Sequence, residues 1–193
     1  LCLNGALLAD IIHNGQTEEE RTVADDLLSL LTPVIKGYGT DKGYDVATNA
    51  QQVYGGHGYV GEWGMEQYVR DARITMIYEG ANGVQALDLV GRKLGANGGR
   101  AIMAFFKEVG EFCESNRADE KMAPYKKSLK KGLNDLQAGS MWFMQNAMAN
   151  PDNAGAGSTD FMHLFGLVAL GYMWAQMAKT SQEKIAEGAN GKA

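Results

Sequence analysis

Apolar residues recur every three or four positions along most of the chain, which is the spacing of one face of an α-helix. Leu3, Leu7 and Ile11 have this spacing and predict an amphipathic helix at the start. A long helix is predicted from Gln16 to about Tyr54, with Thr17 as its N-cap and three glutamates in its first turn. Its apolar face comprises Val23, Leu27, Leu30, Leu31, Val34 and Tyr38, and continues at Val46, Ala50 and Val53.

Pro33 lies inside this long helix. It removes one backbone donor and clashes with the preceding turn, so we expect a kink or a break there. Three glycines between residues 37 and 43 lower the helix propensity of the segment that follows. The helix is predicted to end at the glycines of positions 55 and 56.

The next segments alternate between glycine-rich breaks and short helices. Residues 55–64 predict a loop, and residues 65–77 predict a helix on which Glu66 and Arg70 form a surface pair. Tyr78-Glu79-Gly80 interrupts the periodicity, and a further helix begins at Ala81 or Asn82. The residues expected on its inward face are Val84, Leu87, Val90 and Leu94.

Residues 95–99 read Gly-Ala-Asn-Gly-Gly and predict a hinge, which we take as the boundary between residues 1–95 and an extension, residues 96–193. Three helices are predicted in the extension. The first has the stripe Ile102, Phe105, Phe106, Val109, Phe112 and Cys113; the second has Met122, Tyr125, Leu129, Leu133, Leu136, Phe143 and Met144. Residues 150–157 predict a loop, Ser158 or Thr159 a cap, and residues 159–186 the third helix, with frayed residues 187–193 after it.

The chain is therefore predicted to be all-α: an up-and-down helix bundle followed by a helical extension, which we expect to pack on the bundle. No segment has the period of a strand. Residues 161–178 lack formal charge and reach spanning length, but their apolar positions form a stripe, so we expect a buried bundle helix and no membrane span. Most of the methionines lie in the predicted stripes and are expected to fill the core.

Composition narrows the classes of partner and site. The net charge of −5 argues against a nucleic-acid partner. Cys2 and Cys113 are far apart, and the three histidines are scattered, so neither a disulfide framework nor a metal site is expected. A reducing, cytoplasmic location fits two cysteines that are not expected to form a disulfide. Because the chain starts without Met inside a helical pattern, we expect it to be a C-terminal piece of a longer protein.

Two features between residues 52 and 80 could take part in binding or catalysis, although features of each kind more often have a structural role. The glycines after Gln52 would let a phosphate approach the backbone, but such glycines usually only cap a helix. Glu79 lies at a bend beside an aromatic residue and before a helix, where a carboxylate can serve as a general base. A solvated capping acid is the simpler interpretation of Glu79.

The spacing of the glycines after Gln52 relative to Glu79 favours the functional interpretation of both features. Gln-Val-Tyr-Gly-Gly-His-Gly-Tyr from Gln52, Arg-Asp-Ala-Arg-Ile from Arg70 and Ile-Tyr-Glu-Gly-Ala-Asn-Gly-Val-Gln from Ile77 resemble the C-terminal helical domain of the acyl-CoA dehydrogenases. The continuation to Leu94 and the long extension resemble a bacterial subgroup that includes the 3-methylmercaptopropionyl-CoA dehydrogenases. The resemblance covers essentially the whole chain, and its motifs lie between residues 52 and 94.

The resemblance implies an FAD enzyme that oxidises an acyl-CoA thioester to the trans-2-enoyl-CoA. Glu79 would remove the α-proton, Gly80 would leave room for the thioester, and FAD would accept the hydride. Implied partners are electron-transfer flavoprotein and further copies of the chain in a homodimer or homotetramer. The residues that would contact FAD are Gln52, Val53, Tyr54, Gly55 and Gly56 for a neighbouring subunit's cofactor, and Ala81, Asn82 and Gly83 for the subunit's own.

The chain departs from the family at three positions. Ala81 stands where Thr or Ser is common, Gly83 where a longer polar residue is common, and Ala86 where Arg is frequent. The family's N-terminal and β-domains are not in this sequence, so the chain alone is not expected to turn over. The alternative is a non-catalytic helical assembly or binding module derived from the same fold.

Overall fold

The computed structural model describes residues 1–147 and 149–188, and within them every regular element is helical. The α-helices are α1 (Cys2–Asn14), α2 (Glu18–Val53), α3 (Gly56–Tyr59), α4 (Met65–Thr75), α5 (Asn82–Asp88), α6 (Arg100–Ser115), α7 (Ala123–Asn146) and α8 (Pro151–Ala186). A π-helical turn, Leu89–Lys93, continues α5, and 3₁₀ turns occur at Gly61–Trp63, Ala96–Gly99 and Glu120–Met122. The predicted all-α bundle is confirmed.

The two 36-residue helices, α2 and α8, form the centre of the bundle. Helices α1, α4 and α5 pack against α2, α7 packs against α8, and α6 contacts both α2 and α7. One continuous core includes side chains from both sides of residue 95, among them Leu30, Val34, Leu89, Ile102, Phe105, Leu136 and Phe165. The extension therefore packs on the bundle, as predicted.

Small residues let α2 and α8 approach each other closely. A Cβ at Gly37 would overlap the thioether of Met162, and a Cβ at Gly166 would overlap the ring of Tyr38. Both partner side chains are buried, so neither has free space to move into. These contacts fix the register of the two central helices.

The predicted start of α2 is confirmed in detail. The Thr17 hydroxyl accepts from the backbone N–H of Glu20 at 3.1 Å, and the Glu20 carboxylate accepts from the N–H of Thr17 at 3.2 Å, which is a capping box. Of the kink or break predicted at Pro33, the break is wrong, because α2 continues through this residue to Val53. Pro33 is fully buried, so tertiary packing holds the turn that lacks one backbone bond.

Two predicted loops contain helix. Residues 55–64 form α3 and a 3₁₀ turn, and residues 150–157 are the start of α8. Asn150 caps α8, since its side chain accepts from the N–H of Asp152 at 3.0 Å, and Pro151 occupies the first helical position, which needs no donor. The predicted cap at Ser158 or Thr159 is therefore wrong. Of the predicted frayed end, residues 189–193 lie outside the described part of the chain.

Some predicted apolar stripes face outward. Leu3 is 87% exposed and Leu7 56% exposed, while Leu8 packs in the core. Val84 and Leu87 are also exposed, whereas Val90 and Leu94, the other two residues predicted to face inward, are buried, as are Ala86 and Leu89. These helices have two apolar faces, and periodicity alone does not say which one the bundle covers.

Glu66 and Arg70 form no ion pair; on the same helix Gln67 donates to Asp71 at 2.7 Å. Of the methionines in the described residues, Met122 and Met162 are fully buried and the others are half-buried or exposed, so core filling describes them poorly. Helix α8 is long and apolar enough to cross a membrane by length and composition, but 44% of its apolar window is buried against other helices.

The predicted hinge, residues 95–99, is tied to α2. Asn97, Gly98 and Gly99 have positive φ, which turns the chain into α6. Arg100 donates to both carboxylate oxygens of Asp26, and Asn97 donates to Oδ1 at 3.2 Å. Hydrogen bonding from Arg100 lowers the pKa of Asp26 below its ordinary value of 3.8, with burial opposing.

Candidate active site

Glu79 lies on a strained turn between α4 and α5. Its φ is +51°, a left-handed conformation that a non-glycine residue rarely adopts and that costs about 1 kcal/mol or more. Gly80 follows with φ +88°, where glycine is strongly preferred. The turn leaves the Glu79 side chain exposed.

Two side chains hold this turn through its carbonyl oxygens. Lys36 on α2 donates to the Gly80 carbonyl at 2.7 Å, and Gln85 on α5 donates to the Glu79 carbonyl at 3.3 Å. The backbone N–H of Asn82 closes the turn on the Met76 carbonyl at 3.2 Å. Because a left-handed residue needs its surroundings to maintain it, these bonds keep Glu79 in place.

Asn82 links the turn to α2 from the inside. Its side-chain oxygen accepts from Lys36 at 2.8 Å, and its amide nitrogen lies 2.9 Å from the Thr40 hydroxyl and 2.7 Å from Asp41 Oδ1. The amide also faces the Gly37 carbonyl at 3.1 Å. The Asn82 side chain is buried and fully engaged, so it positions the start of α5.

The network continues into the extension. The second carboxylate oxygen of Asp41 lies 2.8 Å from His163 Nε2 on α8, and the imidazole meets the Tyr38 ring edge-on at 5.6 Å. A continuous set of polar contacts thus runs from α8 through Asp41 and Asn82 to the Glu79–Gly80 turn. We call it the Asp41–Asn82 network; it comprises Lys36, Thr40, Asp41, Asn82 and His163.

The predicted cofactor residues at the end of α2 lie in a different place. Gln52, Val53 and Tyr54 are exposed there, and Gly55 has φ +59°. A Cβ at Gly55 or Gly56 would meet nothing within 4 Å, so the backbone at these two glycines is open to an approaching ligand. Gly58 instead lies against the Gln51 carbonyl and packs the turn internally.

The structure does not bring the two predicted groups together. Lys36, which holds the Glu79 turn, and Val53 lie on one helix 17 residues apart, about 25 Å at 1.5 Å per residue. Glu79, Gly80, Ala81, Asn82 and Gly83 are adjacent at the start of α5. One small ligand cannot contact both groups of the same chain.

Exposed apolar side chains surround both groups. Beside Glu79 they are Ile77, Tyr78, Val84 and Leu87, and near the end of α2 they are Val53, Tyr54, Tyr59, Trp63 and Tyr68. Apolar surface of this extent marks an interaction or ligand-binding surface. In the described part of the chain, no group of three or more His, Cys, Asp or Glu residues could hold a metal ion.

Sequence reasoning missed Lys36, Asp41 and His163. Asp41 follows Val34 by seven positions and Tyr38 by three, so it continues the apolar face of α2, which was the available sign of a polar contact inside the bundle. Ala86 is fully buried, so the arginine that is frequent in the family would not fit at this position of α5.

Two family models match consecutive parts of the chain. Residues 7–95 match "Acyl-CoA dehydrogenase, C-terminal domain", and residues 105–193 match "Acetyl-CoA dehydrogenase C-terminal like". The chain belongs to the acyl-CoA dehydrogenase family. The two matched ranges correspond to the bundle and the extension, and both models describe C-terminal parts of their families.

Curated relatives agree with this assignment. The chain is 33% identical over 183 residues to the 3-methylmercaptopropionyl-CoA dehydrogenase of Ruegeria pomeroyi, a match that covers 93% of the chain and 30% of that protein. It is 28% identical over 192 residues to the broad-specificity linear acyl-CoA dehydrogenase FadE5 of Mycobacterium tuberculosis, with 96% and 31% covered. The chain thus spans less than a third of either relative.

Solved structures share the fold. ACDH-11 of Caenorhabditis elegans, in complex with C11-CoA, superposes with a TM-score of 0.69 at 18% identity over 98% of this chain and 37% of its own. The apo-form of Bd2924 superposes with a TM-score of 0.57 at 21% identity, with 93% and 30% covered. At these identities the likeness concerns the architecture alone.

Proposed function

We propose that the chain is the base-bearing C-terminal part of an FAD-dependent acyl-CoA dehydrogenase that converts an acyl-CoA thioester to the trans-2-enoyl-CoA. Glu79 takes the proton from the α-carbon in this proposal. Membership in the family and the resemblance to acyl-CoA dehydrogenases over nearly the whole chain support it.

The observation that carries the proposal is the held, left-handed Glu79 at an apolar surface. A general base must be fixed within hydrogen-bond reach of the proton that it removes. The carbonyl contacts from Lys36 and Gln85 fix the backbone here, while the carboxylate projects from a surface that contains Ile77 and Tyr78. Strained backbone held by surrounding contacts is typical of functional sites.

The residues present fit a nucleotide cofactor at the end of α2. Gly55 and Gly56 offer open backbone, and Gln52 offers an exposed amide that can donate to a diphosphate. When bound, FAD would supply the hydride acceptor. Gln52, Val53, Tyr54, Gly55 and Gly56 would hold a neighbouring subunit's FAD, and Ala81 and Gly83 would lie beside the subunit's own. Asn82 would act there by holding α5 in place.

The chain's own residues would also shape the substrate side. Gly80 has no side chain and leaves room for the thioester beside Glu79. The backbone N–H of Glu79 would donate to the thioester oxygen, which stabilises the charge that develops when the α-proton leaves. The exposed apolar side chains of Tyr78 and Val84 would contact the acyl chain or the protein segments that cover it.

Replacing Glu79 with Gln in the full-length protein tests the proposal. The amide keeps the size of the side chain but cannot accept the proton, so reduction of the flavin by acyl-CoA should fall by at least about 10³-fold. Bound FAD, measured by its absorbance, should stay at the wild-type level. Glu111→Gln, on the exposed face of α6, is the matched control and should keep wild-type rates. Near-normal flavin reduction in Glu79→Gln would overturn the role of Glu79.

The proposal includes electron-transfer flavoprotein as electron acceptor, a homodimer or homotetramer, and a cytoplasmic location. The competing function is a non-catalytic assembly or binding module, which the exposed apolar surface would also suit. A full-length wild-type protein that binds no FAD and reduces none with acyl-CoA substrates of several chain lengths would favour the module.

A further inference from the structure

The Asp41–Asn82 network joins the extension to the candidate base. We propose that His163, on α8 of the extension, is a positioning residue that holds the Glu79–Gly80 turn through Asp41 and Asn82. The kinetic part of this inference rests on the proposed function, and the positional part does not.

The turn needs such support because its conformation is unfavourable by itself. Glu79 and Gly80 both have positive φ, and the Gly80 carbonyl is held by the Lys36 ammonium at 2.7 Å. Lys36 in turn reaches this carbonyl while it donates to Asn82 Oδ1 at 2.8 Å. The position of the Asn82 amide group therefore sets where Lys36 can place its charge.

Asn82 is oriented by Asp41. The Asn82 amide nitrogen donates to Asp41 Oδ1 at 2.7 Å, which distinguishes the amide's nitrogen from its oxygen and points the oxygen toward Lys36. A rotated Asn82 would place its NH₂ against the Lys36 ammonium. The Gly37 carbonyl, 3.1 Å from the same nitrogen, favours the same orientation, and Asp41 adds a charged acceptor to it.

His163 orients Asp41. Its Nε2 lies 2.8 Å from Asp41 Oδ2, and the Asp41 side chain is only 19% exposed. A half-buried carboxylate that loses one of two donors turns toward water or another donor, because an unpartnered acceptor is costly. Lys36 is the nearby cation in the network, so the freed carboxylate would compete with the Gly80 carbonyl for it.

The helix packing gives His163 little freedom. Met162 lies against Gly37 and Gly166 against Tyr38, which places residue 163 between two close contacts of α2 and α8. The imidazole also rests edge-on against Tyr38 at 5.6 Å. The register of the two helices therefore directs the imidazole at Asp41. The extension thus influences the Glu79–Gly80 turn through Asp41 and Asn82, without a contact to Glu79 itself.

Two variants that differ by one methylene test the inference in the full-length protein. The amide nitrogen of Gln can occupy about the place of His Nε2, whereas that of Asn is too short to reach Asp41. His163→Asn should speed hydrogen–deuterium exchange of peptides covering residues 76–88 by about tenfold, since a hydrogen bond to a charged group is lost. His163→Gln should stay within about twofold of wild type. His13→Asn, at the exposed end of α1, is the control and should change nothing.

The location of the change separates positioning from a general loss of stability. Peptides from α7, such as residues 129–140, should exchange at the wild-type rate in both variants. Wild-type exchange at residues 76–88 in His163→Asn would overturn the inference, and so would an equal increase along the whole chain. If His163→Asn does not fold, the same exchange measurement is made on Asp41→Asn. This variant keeps the size of the side chain but offers a single acceptor to the two donors, Asn82 and His163.

A kinetic measurement links positioning to the proposed reaction. In single-turnover flavin reduction, His163→Asn should lower the limiting rate about tenfold with substrate affinity unchanged, and His163→Gln should restore it. Lower substrate affinity with an unchanged limiting rate would contradict a role at the base. A wild-type protein without flavin reduction would refute the proposed function, and the exchange measurement would still decide whether His163 positions the turn.

Discussion

At the scale of single residues, Asn82 is the link between the Glu79–Gly80 turn and the long helix α2. The role of Asn82 depends on Lys36, Thr40 and Asp41, which lie 41 to 46 positions away, so it exists only after α5 has packed on α2. The roles predicted for the residues near 52 and 79 follow from family resemblance and stay predictions.

Gly166 provides a test of the close approach between the central helices. Gly166→Ala adds a methyl group that would overlap the Tyr38 ring, and the ring is buried. We expect the free energy of unfolding to fall by about 2 kcal/mol, because overpacking outweighs the better helix propensity of alanine. Urea denaturation measures the change.

Gly155 on the same helix is the matched control. A Cβ there would meet nothing within 4 Å, so Gly155→Ala should raise the free energy of unfolding by about 0.5–1 kcal/mol. If both alanines stabilised the protein equally, the tight contact between Gly166 and Tyr38 would be refuted.

At the scale of elements, helix starts were the most predictable features where a local rule applied. Thr17 and Glu20 make a capping box that can be found by their spacing alone. Asn150-Pro151 follows an equally local rule, but the small and glycine residues after it suggested a loop. The outward faces of α1 and α5 were not predictable, because they depend on which neighbours cover each helix.

The tie between the hinge and α2 predicts a pH-dependent contribution to stability. Because Arg100 lowers the pKa of Asp26, the ionised carboxylate stabilises the fold above its ordinary pKa of 3.8, and this is lost as pH falls through the lower folded pKa. Asp26→Asn should therefore cost about 1 kcal/mol near pH 7. The difference from wild type should shrink below about pH 4.

Thermal or urea unfolding between pH 3 and 7 measures this difference. Asp135→Asn is the control, since the Lys131–Asp135 pair is largely exposed and should contribute little at any pH. A constant difference for Asp26→Asn over the whole range would show that its charge is not what matters.

At the scale of the whole molecule, the bundle and the extension share one core. Tyr38, Leu89 and Ala86 belong to the same cluster as Phe105 and Phe165, which lie beyond the hinge. The division at residue 95 was inferred from the glycines there and stays a prediction about domains. The particular contacts of the shared core could not be predicted, because the sequence shows which helices are apolar but not which of them meet.

Removal of the extension therefore tests how far the two parts depend on each other. If the protein is truncated after Leu94, with everything before that residue kept, Val34, Tyr38 and Leu89 would be exposed to water. We expect it to lose cooperative unfolding and to aggregate, because the uncovered apolar surface no longer contributes to stability. Circular dichroism during heating and gel filtration measure both effects.

The full-length protein with His163→Asn is the companion measurement, since it keeps the extension and removes only one polar contact. It should unfold cooperatively. A truncated protein with unchanged assembly and a sharp unfolding transition would show that residues 1–94 fold without the extension.

The contacts between α2 and α8 also limit how this protein can be recombined. A crossover at the hinge would join a bundle from one parent to an extension from another, and the hinge looks like a natural place to cut. Such a chimera would need an acid at position 41 from one parent and a hydrogen-bond donor at position 163 from the other. It would also need residues at positions 37 and 166 that are small enough for the two central helices to approach each other. Inheritance of the two halves is therefore coupled, and a library shuffled at the hinge should be sorted first by those four positions.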